Sequence, residues 1–346
     1  MIQLLHTLYI TEPDTELRLK GEALRVIHKD GREDHVPIHL LDGIVTFSYG
    51  TVTQHVMAAC AARQIPISFL SQKGRFRFRV QGETRGNVFL RQKQYLLAEQ
   101  KRIHIAAAML RGKLENEALL LGRARRNHPE HGGRRLQAAE QSIRAQAAEI
   151  SSEMSGDELR GIEGQAARTY FDVFSEMILS PDETFRFKGR SRRPPLDPCN
   201  AMLSFAYSML TADCIAAIES VGLDPCVGLL HGIRPGKPSL ALDLMEEFRP
   251  VMADRLVLHL INFRMVTAEM FQPQETGGIY LNQAGKKVFL QEWSRAKKRE
   301  IQVPELEKSI PIGLLPHLQV QRLARCIRGE EDVFRTIEWS PANKSQ

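Results

Sequence analysis

Cysteine is scarce in this sequence: five residues in 346, at Cys60, Cys199, Cys214, Cys226 and Cys326. No two form a CxxC pair. An odd, scattered set argues against a disulfide framework and against a structural zinc site, so all five read as small buried hydrophobes. No apolar run reaches the roughly 20 residues a membrane-spanning helix needs. The opening stretch MIQLLHTLYITEPDTELRLKGE has no basic start and meets acids at once. It is not read as a signal peptide, and a cytoplasmic location is expected. A GxxxxGK[ST] loop, a Rossmann glycine pattern and an HD pair are all missing, which speaks against the usual small-nucleotide folds. Neither sign of charge dominates. Lys and Arg number 47 against 41 Asp and Glu, giving a net +6 and a pI of about 9.1. That balance permits a polyanionic partner without demanding one.

What is present is an ordinary globular composition, 43% hydrophobic and 25% charged, long enough for two domains. The first 80 residues read as β. LLHTLYIT, ELRLKG, ALRVIHKDG, HVPIHLL, GIVTFSY and PISFLS are short and rich in branched and aromatic residues, with Gly, Asp and Pro between them. HKDGRED marks a hairpin turn centred on Asp30-Gly31. TVTQHVMAACAARQ interrupts as a short helix. In RFRFRV, Arg75, Arg77 and Arg79 face one way and Phe76, Phe78 and Val80 the other. Such a charged row commonly protects a strand edge from aggregation. The β punctuation stops near QGETRGN. The expected division is a β-rich domain at 1–82, a linker at 83–88 and an α-helical domain at 89–346. The latter opens with a long basic helix from Val88 and includes RLQAAEQSIRAQAAEISSEMS. A helix capped near Ser155–Asp157 and the apolar NAMLSFAYSMLTADCIAAIESVGL follow. QETGGIYLNQAGKKVFLQEWSRAKKREI reads as part of a loop, and a last helix lies around LPHLQVQRLARCIRG.

The chemistry-bearing stretch is HGIRPGKPSLALDLMEEFRP, residues 231–250. Ser239 can cap a helix in which Ala241, Leu244, Met245, Phe248 and Met252 form a buried face. Asp243 and Glu246, three apart, project from its flank. Pro250 is expected to bend or break the helix. Acids at the edge of a core need compensation. One solution is a divalent cation held by carboxylates and one imidazole, His231. The other is an ion pair of Glu246 or Glu247 with Arg249, Arg255 or Lys237. A second acid, Glu163, lies between Gly161 and Gly164 in RGIEGQAARTYFDVF. The two glycines cost a helix about 1 kcal/mol each. They make sense if a backbone or ligand approaches closely, or if the helix begins near Gly164 with Glu163 in its first turn.

Several segments occur in the order of one family. They are GNVFLRQKQY, GIEGQAARTYF with Glu163, NAMLSFAYSML with Asn200 and Tyr207, LHGIRPGKPSLALDLMEEFRP, ADRLVLHLIN and GGIYLNQAGKKVFL. Together they run over essentially the whole chain. The sequence resembles the CRISPR-associated integrase that, with a small partner, inserts spacers into the CRISPR array (CRISPR-associated protein one). Its length and N-terminal segment look like the type I-C branch. The resemblance implies an α+β fold, with a small N-terminal β-sandwich-like domain followed by a larger all-α C-terminal domain. It implies Glu163, His231 and Glu246 as ligands of one Mg²⁺ or Mn²⁺, with Asp243 behind them. Where many relatives carry a Tyr-Pro-Phe-like element, this chain has VFRTIEW.

The activity implied is metal-dependent cleavage of DNA and strand transfer, with a 3′-hydroxyl attacking a repeat phosphodiester. Partners implied are double-stranded and branched DNA, a second copy joined through the β domain, and the small CRISPR-associated protein two. Tyr170 and Tyr207 read as core or substrate-positioning residues, not nucleophiles. Further candidates, lying behind the ligands or positioning DNA, are Asn200, Tyr207, Arg168 and the basic loop with Arg186, Lys188, Arg190, Arg192 and Arg193. Arg111, Lys113, Arg123, Arg125 and Arg126 form a second basic group. The contrasting reading is a DNA-binding subunit without catalysis, in which Glu163, His231 and Glu246 make ion pairs only.

Overall fold

Turn chemistry organises the N-terminal region as its sequence implies. The structure, a computed structural model, describes residues 7–41, 43–47, 50–71, 76–83, 88–97, 99–275, 277–303 and 308–337. Strands β2 (Glu16–Lys20), β3 (Ala23–Ile27) and β4 (Glu33–Pro37) form an antiparallel meander, and β6 (Thr51–Val52) joins β2 in parallel. Gly31, at φ +84°, closes the β3–β4 turn at the expected Asp30-Gly31. A second sheet has the order β1 (Thr7–Ile10), β5 (Gly43–Thr46), β7 (Ile67–Leu70), β8 (Phe76–Val80). Its first three strands are parallel and β8 is antiparallel at the edge. Ile10, Leu17, Leu24, Val26, Ile44 and Ile67 fill one core together with Val56 and Cys60 of α1 (Gln54–Ala62).

Strand alternation lets the second sheet serve two cores. Ile44 faces the β core. Val45, Phe47 and Leu70 belong to the core of the helical region. The Phe47 ring lies 5.5 Å from that of Phe205. Arg79 of β8 pairs with Glu219, so this part of the arginine row is an inter-domain contact. Phe78 stacks on Phe69 at 4.3 Å. Arg75 and most of the expected linker (residues 84–87) lie outside the described residues.

The helical region comprises α2 (Val88–Tyr95), α3 (Glu99–Asn127), α4 (Gly133–Glu149), α5 (Gly156–Asp172), α6 (Pro198–Val221), α7 (Ser239–Phe248), α8 (Arg255–Asn262), α9 (Gln283–Lys297) and α10 (Leu315–Arg328). The long basic segment is therefore two helices. Ser155 completes a capping box with Glu158 at the start of α5. The region is helical as expected, with two short antiparallel ribbons set into it, β9–β10 (Phe271–Pro273, Ile279–Leu281) and β11–β12 (Glu300–Val303, Lys308–Pro311). One expectation needs correction: the stretch read as a loop holds α9, capped by Asn282, whose side chain accepts from Gly285 N–H at 3.0 Å. Helix α6 has the length and apolarity to cross a membrane, yet 56% of its apolar window is buried inside the protein, as suits a core helix. All five cysteines are free, and four are buried.

Helix α3 packs against α4, α5, α7 and the turn after α7. Acids carried far apart in sequence therefore meet one side of a single helix.

Candidate metal and strand-transfer centre

Helix α7 presents the expected face: Ala241, Leu244, Met245, Phe248 and Met252 are all buried. Its start and end differ from expectation. Pro238, not Ser239, is the cap residue, and the Ser239 hydroxyl instead donates to the carbonyl of Gly232. Pro250 does not break the chain. Residues Arg249–Asp254 widen into a π-helical turn and continue into α8, accommodating the N–H that proline lacks.

This irregularity brings Arg249 back over Glu246, donating to both carboxylate oxygens at 2.8 Å. From the other side comes Lys113 of α3, only 1% exposed. Its ammonium lies 2.7 Å from Glu246 and 2.9 Å from Glu163 of α5. Burial alone would push the Glu246 carboxyl up. Arg249 and Lys113 outweigh it and hold the group well below the usual carboxylate range. Burial likewise opposes the charge on Lys113, and Glu246 and Glu163 reverse that, so its pKa is raised. One turn along α3, the buried Glu117 leaves Oε2 without a hydrogen-bond partner, and burial lifts its pKa to about 7.

His231 sits in the loop before α7. Asp243 organises that loop by accepting the backbone N–H groups of Leu229, Leu230 and His231. Its Oδ1 is 2.6 Å from His231 Nδ1. This contact is the largest cause of the raised pKa of His231, with Glu163 and Glu246 adding smaller contributions. Gly228 makes the wrap possible. A Cβ there would fall 2.4 Å from the His231 carbonyl oxygen and 2.6 Å from Ser239 Cβ. With Nδ1 directed at Asp243, Nε2 is the nitrogen left to a ligand. Glu163, Asp243 and Glu246 line one small cleft with Leu230, Met109 and Leu110.

Gly161 and Gly164 lie inside α5, not at its start, and apart from the helix's own backbone no atom of the described residues comes within 4 Å of a Cβ built at either. Backbone approach does not explain them; the helix surface there is open.

The other named residues separate into two groups. Asn200 is fully buried and works as a clamp. Its Nδ2 donates to Asp197 and to the Gly189 carbonyl, and its Oδ1 accepts from Ser191 N–H and Arg190. It shapes the basic loop from a buried position. Tyr207 donates to Asp254 at 2.6 Å under the Arg249 guanidinium, and Tyr170 donates to the same carboxylate at 3.0 Å. Burial raises both phenol pKa values, so neither is poised as a nucleophile. Arg190 is half-buried against Tyr207 and Ser204. Arg168, Arg186, Lys188, Arg192 and Arg193 are exposed. Of the second basic group, Lys113 is in the centre itself, Arg111 holds the Ile150 carbonyl and Arg125 pairs with Glu140.

Comparison with known proteins settles the family. The family model described as CRISPR associated protein Cas1 matches residues 8–295. The chain belongs to the Cas1 family. It is 46% identical to CRISPR-associated endonuclease Cas1 2 of Rhodospirillum rubrum, over 98% of this chain and all of that one. Among solved structures, a CAS1 protein from Thermotoga maritima superposes with a TM-score of 0.80 at 25% identity, covering 96% of this chain and 100% of that one. A casposase bound to integration product reaches 0.82 at 23% identity, covering 95% and 92%, which speaks to the fold alone.

Among the described residues, no three Asp, Glu, His or Cys side chains already converge as a metal cage. The donor set nonetheless fits a divalent cation. One ammonium touches both Glu163 and Glu246, so both carboxylates can reach a single positive centre, and the Asp243–His231 pair has the form of a supported imidazole ligand.

Proposed function

We propose that the protein is a metal-dependent DNA endonuclease and integrase that inserts spacer DNA into a CRISPR array. The observation that carries this is the convergence of Glu163 and Glu246 on one buried positive centre beside an Asp243-held imidazole. Glu163, Glu246 and His231 Nε2 would hold Mg²⁺ or Mn²⁺; the imidazole suits Mn²⁺ better. When bound, the cation supplies Lewis-acid stabilisation of charge on a phosphodiester's non-bridging oxygens. Asp243 holds the His231 tautomer. Arg249 keeps Glu246 ionised. A DNA 3′-hydroxyl as nucleophile gives strand transfer, and water gives cleavage. The exposed Arg168, Arg186, Lys188, Arg192 and Arg193 are proposed phosphate contacts. A second copy and the small protein Cas2 are the proposed partners, in the cytoplasm, and length and N-terminal flavour favour the type I-C branch.

The second reading, a non-catalytic DNA-binding subunit, draws on the same cluster, since Lys113 and Arg249 already compensate Glu163 and Glu246. A branched DNA resembling a half-integrated spacer separates the two. Strand rejoining is expected with Mn²⁺ or Mg²⁺, lost in EDTA and in Glu163→Ala, His231→Ala and Glu246→Ala. Metal-independent binding with no strand transfer by the wild type would establish the second reading.

A further inference from the structure

Away from the centre, a cleft opens between α8, α9 and the residues after α9, with Arg255, Leu256, His259, Trp293 and Arg299 among its walls. Its charge is unbalanced. Arg255 is half-buried and makes no ion pair or side-chain hydrogen bond among the described residues. Burial lowers its pKa to about 10, with Arg123 and Arg299 close enough to add to the effect. His259 is also lowered, by burial and then by Arg299. The nearby carboxylates are spent elsewhere: Asp213 holds Lys297 at 2.9 Å and Glu292 holds Arg295 at 2.6 Å. Trp293 is 1% exposed, and its indole N–H has no acceptor.

A guanidinium taken partly out of water beside two others, with no carboxylate bonded to it, opposes folding unless an anion arrives. We infer that Arg255 and Arg299 of this cleft, with Arg123 of α3 beside them, make a phosphate-binding site, separate from the Glu163–Glu246 centre, that takes the DNA backbone. Arginine suits this role because its fork of donors matches phosphate oxygens. The apolar wall at Leu256 asks for no base-specific contact, so the cleft positions DNA without reading it. DNA is the favoured anion because Arg123 lies ten residues beyond Lys113 on α3. That is about 15 Å along the helix, within reach of a strand engaged at the centre. This choice rests on the function proposed above.

The test measures binding of a duplex oligonucleotide of arbitrary sequence in EDTA across a salt series, for wild type, Arg123→Gln, Arg255→Gln and Arg299→Gln. Each variant should bind several-fold more weakly at low salt. Each should reduce the slope of log K against log salt by about one. The melting temperature of the free protein should stay the same or rise in Arg255→Gln, because an uncompensated charge has gone. Unchanged slopes in all three variants overturn the inference. So does a fall in melting temperature with the slope intact, which would mark a structural arginine. Stabilisation by inorganic phosphate that Arg255→Gln abolishes, with the DNA slope unaffected, would make this a small-anion site and overturn the DNA assignment. A wild type that binds no duplex would instead overturn the proposed function.

Discussion

Glu246 and Glu247 are adjacent on α7, and the chain makes opposite uses of them. Glu246 faces Lys113 and Arg249, and its carboxyl is held well below the usual range. Glu247 is fully buried on the other side among neutral donors. It accepts from Gln319 at 2.8 Å and from the backbone N–H of Ile337 at 2.6 Å, and burial pushes its pKa up to about 7. One carboxylate is kept charged at the proposed metal centre. The other ties down the C-terminal segment, whose Phe334 and Ile337 are buried. Residues 333–337 of the VFRTIEW stretch are thus anchored through the residue next to a proposed ligand, and Glu338 and Trp339 lie outside the described residues. Residue type sets neither role; the partners delivered by distant helices do.

The largest effect is expected where one cation bridges the two carboxylates of the site face. Lys113→Met removes the ammonium between Glu163 and Glu246 and leaves buried carboxylates facing each other. Without metal, denaturant unfolding should show a loss of about 3–5 kcal/mol, typical of breaking a buried ion pair. Mn²⁺ should recover much of it. Saturation to about a hundred times the dissociation constant returns about 2.7 kcal/mol. If Mn²⁺ stabilises Lys113→Met no more than wild type, Glu163 and Glu246 are ion-pair partners only, and the contrast between the two faces loses its catalytic meaning.

A smaller effect is expected on the tail face. A Cβ at Gly112 would lie 2.6 Å from Thr336 Cγ2. Gly112→Ala should therefore loosen the C-terminal segment, costing about 1–3 kcal/mol as overpacking does. Thr336→Ser in the same chain should restore part of the loss. Limited proteolysis would report tail release, and Mn²⁺ titration would show whether the site face feels it. A parallel drop in Mn²⁺ affinity would show that the faces, one residue apart on both α3 and α7, are coupled.

Local signals carried most of the fold. The Asp30-Gly31 turn, the Ser155 cap and the three-and-four spacing of α7 depend on near neighbours, and each stands in the structure. The gathering of Glu163, His231 and Glu246 came from the family resemblance, because no spacing within the chain implies it. Lys113 was misplaced as a surface cation. Its burial exists only because α5 and α7, 50 and 133 residues further along, close over α3. What Asn200 does was not legible for a similar reason. Its amide is consumed by a loop that only tertiary structure folds back over α6. The π-helical turn after Pro250 leaves no mark in sequence beyond the proline itself.

The subtlest expected difference between the two acids is in pH dependence, and its sign differs for each. Glu246, lowered, contributes stability that is present above the ordinary carboxyl value and lost as pH falls through its own lower one. Glu247, raised from 4.5 to about 7, binds more protons folded than unfolded between those values. Stability therefore falls as pH rises across that window. The melting temperature of the wild type should climb on leaving strong acid and then sag between roughly pH 4.5 and 7. Glu247→Gln should flatten the sag while keeping the acid-side climb, and Glu246→Gln should do the reverse. Glu117, also raised to about 7, adds to the sag, so Glu117→Gln should remove a share of its own. A sag that survives intact in Glu247→Gln would mean that the bonds from Gln319 and Ile337 hold that carboxylate ionised despite its burial. The two neighbouring acids would then differ in partners but not in charge.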